Sequence, residues 1–180
     1  MSGVSYHQAE MEIVNVVTTA NLNDSLDLKK IVTKTLNAIY KPESFSGLIW
    51  RHPKIEGSAL IFKNGKIVLA GSRSISGSRR NIRLYARLLQ KMSYNIKVSD
   101  FKIQTITGVL NLAKSLDLAY LGKNIPGATF EPELFPTVMF RRNGMHFSIT
   151  KRGKIIITGG KNIKAMQDEV DAILLLIEIV

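Results

Sequence analysis

The chain has 180 residues, no cysteine, and 25 Lys and Arg against 14 Asp and Glu, for a net charge of +11. The length suits one domain or two small halves sharing a core, the 45% hydrophobic content excludes a disordered tail, and the missing cysteines exclude disulfides, thiolate metal sites and a cysteine nucleophile. The longest apolar run, Ala172 to Ile177, is far shorter than the roughly 20 residues of a membrane span, and the charge points to a polyanionic partner, nucleic acid ahead of an acidic membrane surface.

Residues 1–10 are polar and lack the apolar centre of a signal peptide, so they read as a short extension on a soluble, intracellular protein. From Glu12 to Ala20 the chain is β-branched and predicts a strand. Asp27 to Leu36 places Leu28, Ile31, Val32 and Leu36 at helical spacing, with Asp27 as its cap. Leu48 to Arg51, Ser58 to Lys63 and Lys66 to Gly71 predict consecutive antiparallel strands, the last two joined by the Asn64-Gly65 turn. A longer helix follows from Ser76 to Met92. The pattern then recurs. Strands are predicted near 101–110, 137–142, 145–150 and 154–159, with a short helix near 116–123 and a final one over about 162–177.

The recurrence is an internal duplication. At an offset of 90 residues Ile13 meets Ile103, Ser25-Leu26-Asp27-Leu28 meets Ser115-Leu116-Asp117-Leu118, Pro42-Glu43 meets Pro132-Glu133, and Phe45 meets Phe135. At an offset of 88, Gly65-Lys66-Ile67 meets Gly153-Lys154-Ile155 and Gly71 meets Gly159. The two missing residues fall at Asn143-Gly144, a dipeptide suited to a tight type I′ hairpin. The expected organisation is an extension over 1–10, one repeat over 11–97 and a second over 98–180. Each repeat has about five strands and two helices, with one sheet face covered and the other open to a ligand.

Strand alternation puts Asn15, Val17 and Thr19 on one face, Leu60 and Phe62 on another strand's face, and Val68 and Ala70 on a third. If these make the open side, it is poor in carboxylates, as suits a surface pressed against DNA. An isolated Val or Leu is better read as core, but the Asn15 amide needs hydrogen-bonding partners. Arg51 and Arg141 end matched strands, and Lys66 and Lys154 begin matched strands; with Arg73 and Lys161 they are candidate phosphate contacts. Arg79, Arg83, Arg87 and Lys91 recur every four residues along the long helix, a one-sided field suited to a phosphate or an acidic partner. His7, His52 and His146 are scattered and define no metal site.

The motifs Phe130-Glu131-Pro132-Glu133-Leu134-Phe135-Pro136, Asp100-Phe101-Lys102-Ile103-Gln104, Ala59-Leu60-Ile61-Phe62 before Gly65-Lys66, and Tyr85-Ala86-Arg87 to Gln90-Lys91 resemble those of the TATA-box-binding protein family over about residues 11–177. The resemblance implies an α+β saddle in which two pseudo-symmetric repeats form one curved ten-stranded antiparallel sheet, with four helices on its convex face. Family members drive two phenylalanines per repeat between base steps of the minor groove. Phe45, Phe62 and Phe135 match three of these wedges, and the fourth falls on Thr150. Asn15 matches a central groove-reading asparagine, whereas Thr105 stands at the second such position. Thr107 stands where the first half has Val17, and Ala70 replaces a threonine that Thr158 keeps. Leu60, Val68 and Ile156 complete the implied groove contacts.

The resemblance also implies partners. Glu131, Pro132 and Glu133 match the loop recognised by transcription factor IIB, and Arg83, Arg87 and Lys91 match a surface used by transcription factor IIA and negative regulators. The expected protein is a monomer on double-stranded promoter DNA and meets TBP-associated factors in RNA polymerase II initiation. Its place is the nucleus, or the site of viral transcription if virus-encoded, and it has no cofactor. The alternative is a factor with relaxed or absent TATA preference that acts mainly as a protein platform. An enzyme accessory domain fits poorly, because the repeats fill the chain and no acidic cluster suits metal-dependent cleavage.

Overall fold

Asp27 and Asp117 occupy matched positions and do the same job: each carboxylate accepts from the backbone N–H three residues on, Lys30 and Tyr120, starting helices α1 (Leu28–Thr33) and α3 (Leu118–Asn124). The computed structural model describes residues 10–179, so the polar stretch assigned to 1–10 lies almost wholly outside it. Asn15–Gln104 form one compact unit, and the segment up to Val14 joins the chain from Thr105 onward in the other.

In the first unit the strands β1 (Glu12–Asn21), β2 (Ala38–Ile39), β3 (Leu48–Trp50), β4 (Ser58–Ile61) and β5 (Lys66–Ser72) hydrogen-bond in the order β2-β3-β4-β5-β1. Helix α2 (Ile75–Gln90) follows, capped by the Ser74 hydroxyl accepting from Gly77 N–H. In the second unit β6 (Ser99–Asn111), β7 (Thr129–Glu131), β8 (Phe135–Arg142), β9 (Met145–Thr150) and β10 (Lys154–Gly160) take the order β6-β10-β9-β8-β7, and helix α4 (Ile163–Ile179) ends the chain. Among the described residues, ten antiparallel strands and four helices make the α+β class expected. The edge strands β2 and β7, two and three residues long, are too short to show alternation and were not located from sequence.

Helix α1 stops earlier than its apolar spacing predicts. Lys34 N–H bonds back to Ile31 C=O, the Thr35 hydroxyl donates to the same carbonyl, and Asn37 takes a positive φ of 59°. These contacts end the helix at Thr33 and leave Leu36 83% exposed, outside the core it was expected to join. The predicted hairpin turn holds: Asn143 (φ 47°) and Gly144 (φ 77°) are both left-handed, as a type I′ turn requires.

Alternation sends Val16, Thr18 and Ala20 of β1, Ala59 and Ile61 of β4, and Ile67 and Leu69 of β5 inward. Ala20, Ala59, Ile61, Ile67 and Leu69 meet Ile82, Tyr85, Ala86 and Leu89 of α2 in one core cluster. The second unit buries Ile149, Ile155 and Ile157 with Val170, Ile173, Leu174 and Ile177 of α4. Core volume is redistributed between the repeats. Trp50 lies edge-on to Tyr85 at 5.2 Å, whereas the matched Phe140 stacks on Phe147 at 5.0 Å, where the first repeat has only Ala59.

Tyr85 is fully buried. Its hydroxyl donates to Trp50 C=O at 3.0 Å and accepts from His52 N–H at 3.2 Å. Burial holds this phenol above its ordinary value, against a smaller opposing pull from the His52 N–H. The folded state therefore keeps the proton where the unfolded chain, titrating near pH 10, has lost it. This stability is fully present below about pH 10 and falls as pH rises further. Tyr85→Phe is expected to cost about 1–3 kcal/mol at neutral pH, by leaving a buried donor and acceptor unmatched, and to remove this part of the alkaline loss. Urea midpoints at pH values from about 8 to 11 measure both effects.

Candidate nucleic-acid interface

The alternate residues of each strand point away from the helices. In the first unit these are Asn15, Val17 and Thr19 of β1, Ile49 of β3, Leu60 of β4, Val68 and Ala70 of β5, and Phe62 just beyond β4, all only partly buried. Cross-strand pairing sets Ile49 beside Leu60, Leu60 beside Val68, and Val68 beside Thr19. In the second unit the matching row runs Met139, Ser148, Ile156, Val109. No carboxylate occupies any of these positions. A face so apolar and so free of anions is suited to a polyanion with an apolar groove floor.

Asn15 is fixed by its own fold. Between Val16 and Thr18 the pairing of β1 with β5 slips, and Gly71, at φ 98°, forms the bulge. A side chain there would bring Cβ within 3.0 Å of Gly57 Cα, so the position requires glycine on both counts. Gly71 N–H, freed from the ladder, donates to Asn15 Oδ1 at 2.8 Å. That contact occupies the amide oxygen and leaves both Nδ2 hydrogens for a ligand. The second unit repeats the device. Pairing slips between Ile157 and Gly160, Gly159 sits at φ 92°, and its N–H donates to Thr105 Oγ1 at 3.1 Å. Thr105 thus keeps the acceptor and offers one hydrogen instead of two.

The implied wedges are accessible. Phe45, 38% exposed, meets Phe62 edge-to-face at 5.8 Å. Phe135 is 51% exposed at the start of β8. Ile61 pairs with Ile67, and Ile149 with Ile155, so Thr150, the last residue of β9, stands in the register of Phe62 just beyond β4. Its hydroxyl is engaged locally, accepting from Lys154 N–H at 3.1 Å.

Arg51, Lys66, Arg73, Arg141, Lys154 and Lys161 are all exposed at strand ends. Arg51 is held by its Nε–H donating to Ser58 Oγ at 3.0 Å. Arg83, Arg87 and Lys91 are exposed on α2, which packs against β5 from the opposite side, so they do not join the open face. Arg79, read from sequence as one of this stripe, instead lies 4.0 Å over the Phe101 ring. Glu131, Pro132 and Glu133 form the exposed β7–β8 turn, closed by Leu134 N–H donating to Glu131 C=O. Sequence reasoning missed Met139, His146 and Ser148 on the open face; the signal was available, since the 88-residue offset carries Leu60 onto Ser148.

Residues 10–92 and 100–179 match the family model described as "Transcription factor TFIID (or TATA-binding protein, TBP)". The chain belongs to this family. Among TATA-binding-protein relatives, "TATA-box-binding protein-like 1" of Entamoeba histolytica is 37% identical over 155 residues, covering 84% of this chain and 72% of that protein. "TBP-related factor" of Drosophila melanogaster is 34% identical over 170 residues, covering 92% and 75%. The solved structure of Methanococcus jannaschii TBP superposes with a TM-score of 0.87 at 28% identity, covering 95% of this chain and 99% of that one. Membership in the TATA-binding protein family makes this a DNA-binding transcription protein.

Proposed function

We propose that this chain is a general transcription initiation factor that binds promoter DNA through the minor groove, bends it, and recruits further initiation factors. The observation that carries the reading is the Phe45–Phe62 ring pair, Phe45 exposed and Phe62 partly so, standing on a carboxylate-free face. Exposed rings beside a rim of cations gain most from entering an apolar, anionic groove, and wedging bases apart is how such rings bend a duplex. Asn15 supports the groove assignment. With its oxygen held by Gly71 N–H, its two Nδ2 hydrogens are free to donate, and A·T pairs present only acceptors in the minor groove.

The Glu131–Glu133 turn and the Arg83, Arg87 and Lys91 surface are proposed to take transcription factor IIB-like and IIA-like partners respectively, in the nucleus. Thr150 at the fourth wedge position favours a second reading, a factor with relaxed TATA preference. A TATA duplex titrated against a G·C-rich duplex separates the two. Selective binding supports the first reading, equal binding the second, and binding to neither removes both.

Salt dependence tests the rim. If Arg51, Lys66, Arg73, Arg141, Lys154 and Lys161 each neutralise one phosphate, log K falls with log salt at a slope of about −5. Replacing any one by Ala is expected to reduce the slope by about 1 without altering sequence preference. An unchanged slope for a given variant removes that residue from the rim.

A further inference from the structure

The two repeats present different chemistry on equivalent open positions. At the offsets that align them, Asn15 gives way to Thr105, Val17 to Thr107, Ile39 to Thr129, Leu60 to Ser148, Phe62 to Thr150 and Ala70 to Thr158. Six apolar or amide side chains become hydroxyls, and all six lie on the same side of their strands. The register is not in doubt, because Ser148 stands opposite Ile156 as Leu60 stands opposite Val68.

Three of these hydroxyls are already used. Thr105 accepts from Gly159 N–H, Thr150 from Lys154 N–H, and Thr129 donates to Met139 C=O. Those of Thr107, Ser148 and Thr158 have no protein partner among the described residues. Shortening Leu60 to Ser148 also opens space. A hollow of about 440 Å³ lies over Met139, Arg141, His146, Ser148, Ile156 and Thr158.

In the minor groove an A·T pair shows acceptors only, while a G·C pair adds the guanine N2 amino group, a donor. Against Val17, Leu60, Val68 and Ala70 that amino group would lose its water and find no acceptor, which is costly; the neighbouring hydroxyls of Thr19 and Ser58 already accept from Gln104 Nε2 and Arg51 Nε. Against Ser148 and Thr158 it would find hydroxyl oxygens able to accept, with room for the protruding group.

We propose that the second repeat of this chain admits a G·C pair in the minor groove, with Ser148 and Thr158 as acceptors for the guanine amino group, while the first repeat excludes one. The preferred site is then A·T in one half and mixed in the other. This rests on the minor-groove reading above.

The test uses the full chain and three duplexes of equal length: all A·T, G·C pairs in one half, and G·C pairs in both halves. A protein free to bind in either direction sets its tolerant repeat on the substituted half. The one-half duplex is therefore expected to bind within about twofold of the A·T duplex, and the two-half duplex about tenfold or more weaker. In the Ser148→Leu/Thr158→Ala double variant, the one-half duplex is expected to bind about tenfold or more weaker than the A·T duplex, the loss that the unaltered chain shows for the two-half duplex. An unshifted urea midpoint reports an intact fold. A tenfold loss for the one-half duplex with the unaltered chain overturns the proposal. So does equal binding to all three duplexes, or unchanged tolerance in the double variant. Failure to bind even the A·T duplex at low salt overturns the minor-groove reading itself.

Discussion

Phe62→Ala is expected to weaken binding to a TATA duplex by roughly 10- to 150-fold and to remove one kink from the bound DNA. The magnitude follows from burying one phenylalanine, about 1.5–3 kcal/mol, converted at about 1.4 kcal/mol per decade. Phe62 is the inner member of the edge-to-face pair with Phe45, so its loss also leaves Phe45 without the ring that orients it. The two substitutions are thus expected to be non-additive, Phe45→Ala adding little once Phe62 is gone. The matched site in the second repeat predicts the reverse. With Thr150 in place of a ring, the unaltered protein is expected to bend its site asymmetrically, and Thr150→Phe to even out the bend and raise affinity. Fluorescence energy transfer across each half of a labelled duplex reads both changes. Equal kinking in both halves with the unaltered chain would exclude this division of labour.

Trp50→Ala is expected to lower stability by about 3–5 kcal/mol, a large share of the roughly 5–15 kcal/mol typical of a folded domain. Trp50 is 2% exposed, lies edge-on to Tyr85, and supplies the carbonyl that receives the Tyr85 hydroxyl. Truncation empties the space between β3 and α2, and the facing residue on β4, Ala59, is too small to fill it. Trp50→Phe should cost much less. It removes an indole N–H that is buried without a hydrogen-bond partner among the described residues, and phenylalanine already serves at the matched Phe140. Urea midpoints for the two variants give the comparison, and similar losses in both would show that the indole's size is not what matters here.

Duplication and strand alternation were legible because both are properties of spacing. The 90- and 88-residue offsets carry Asp27 onto Asp117 and Gly71 onto Gly159, and in the structure each pair makes the same hydrogen bond. What spacing could not reveal was where a local contact overrides a pattern. Leu36 has helical spacing, yet the Thr35 hydroxyl and the left-handed Asn37 end the helix before reaching it. Arg79 has the spacing of a charged stripe, yet the Phe101 ring, distant in sequence, claims its guanidinium. At Asn15 the sequence indicated that the amide needed partners; only the bulge at Gly71 identifies the partner and so determines which end of the amide is left free.

That bulge also limits how this protein can diverge. A glycine N–H released from the ladder must be met by an acceptor a few bonds from the backbone of the facing strand, and Asn15 and Thr105 are two solutions to one geometric demand. Hydrocarbon side chains leave the N–H unmet, and longer amides overreach it. The residues able to serve reduce to a small set of short polar side chains, each presenting its own number of free hydrogens to the ligand. Changes in DNA preference at these two positions are therefore expected to come in discrete chemical steps, two hydrogens, one or none, rather than by gradual drift.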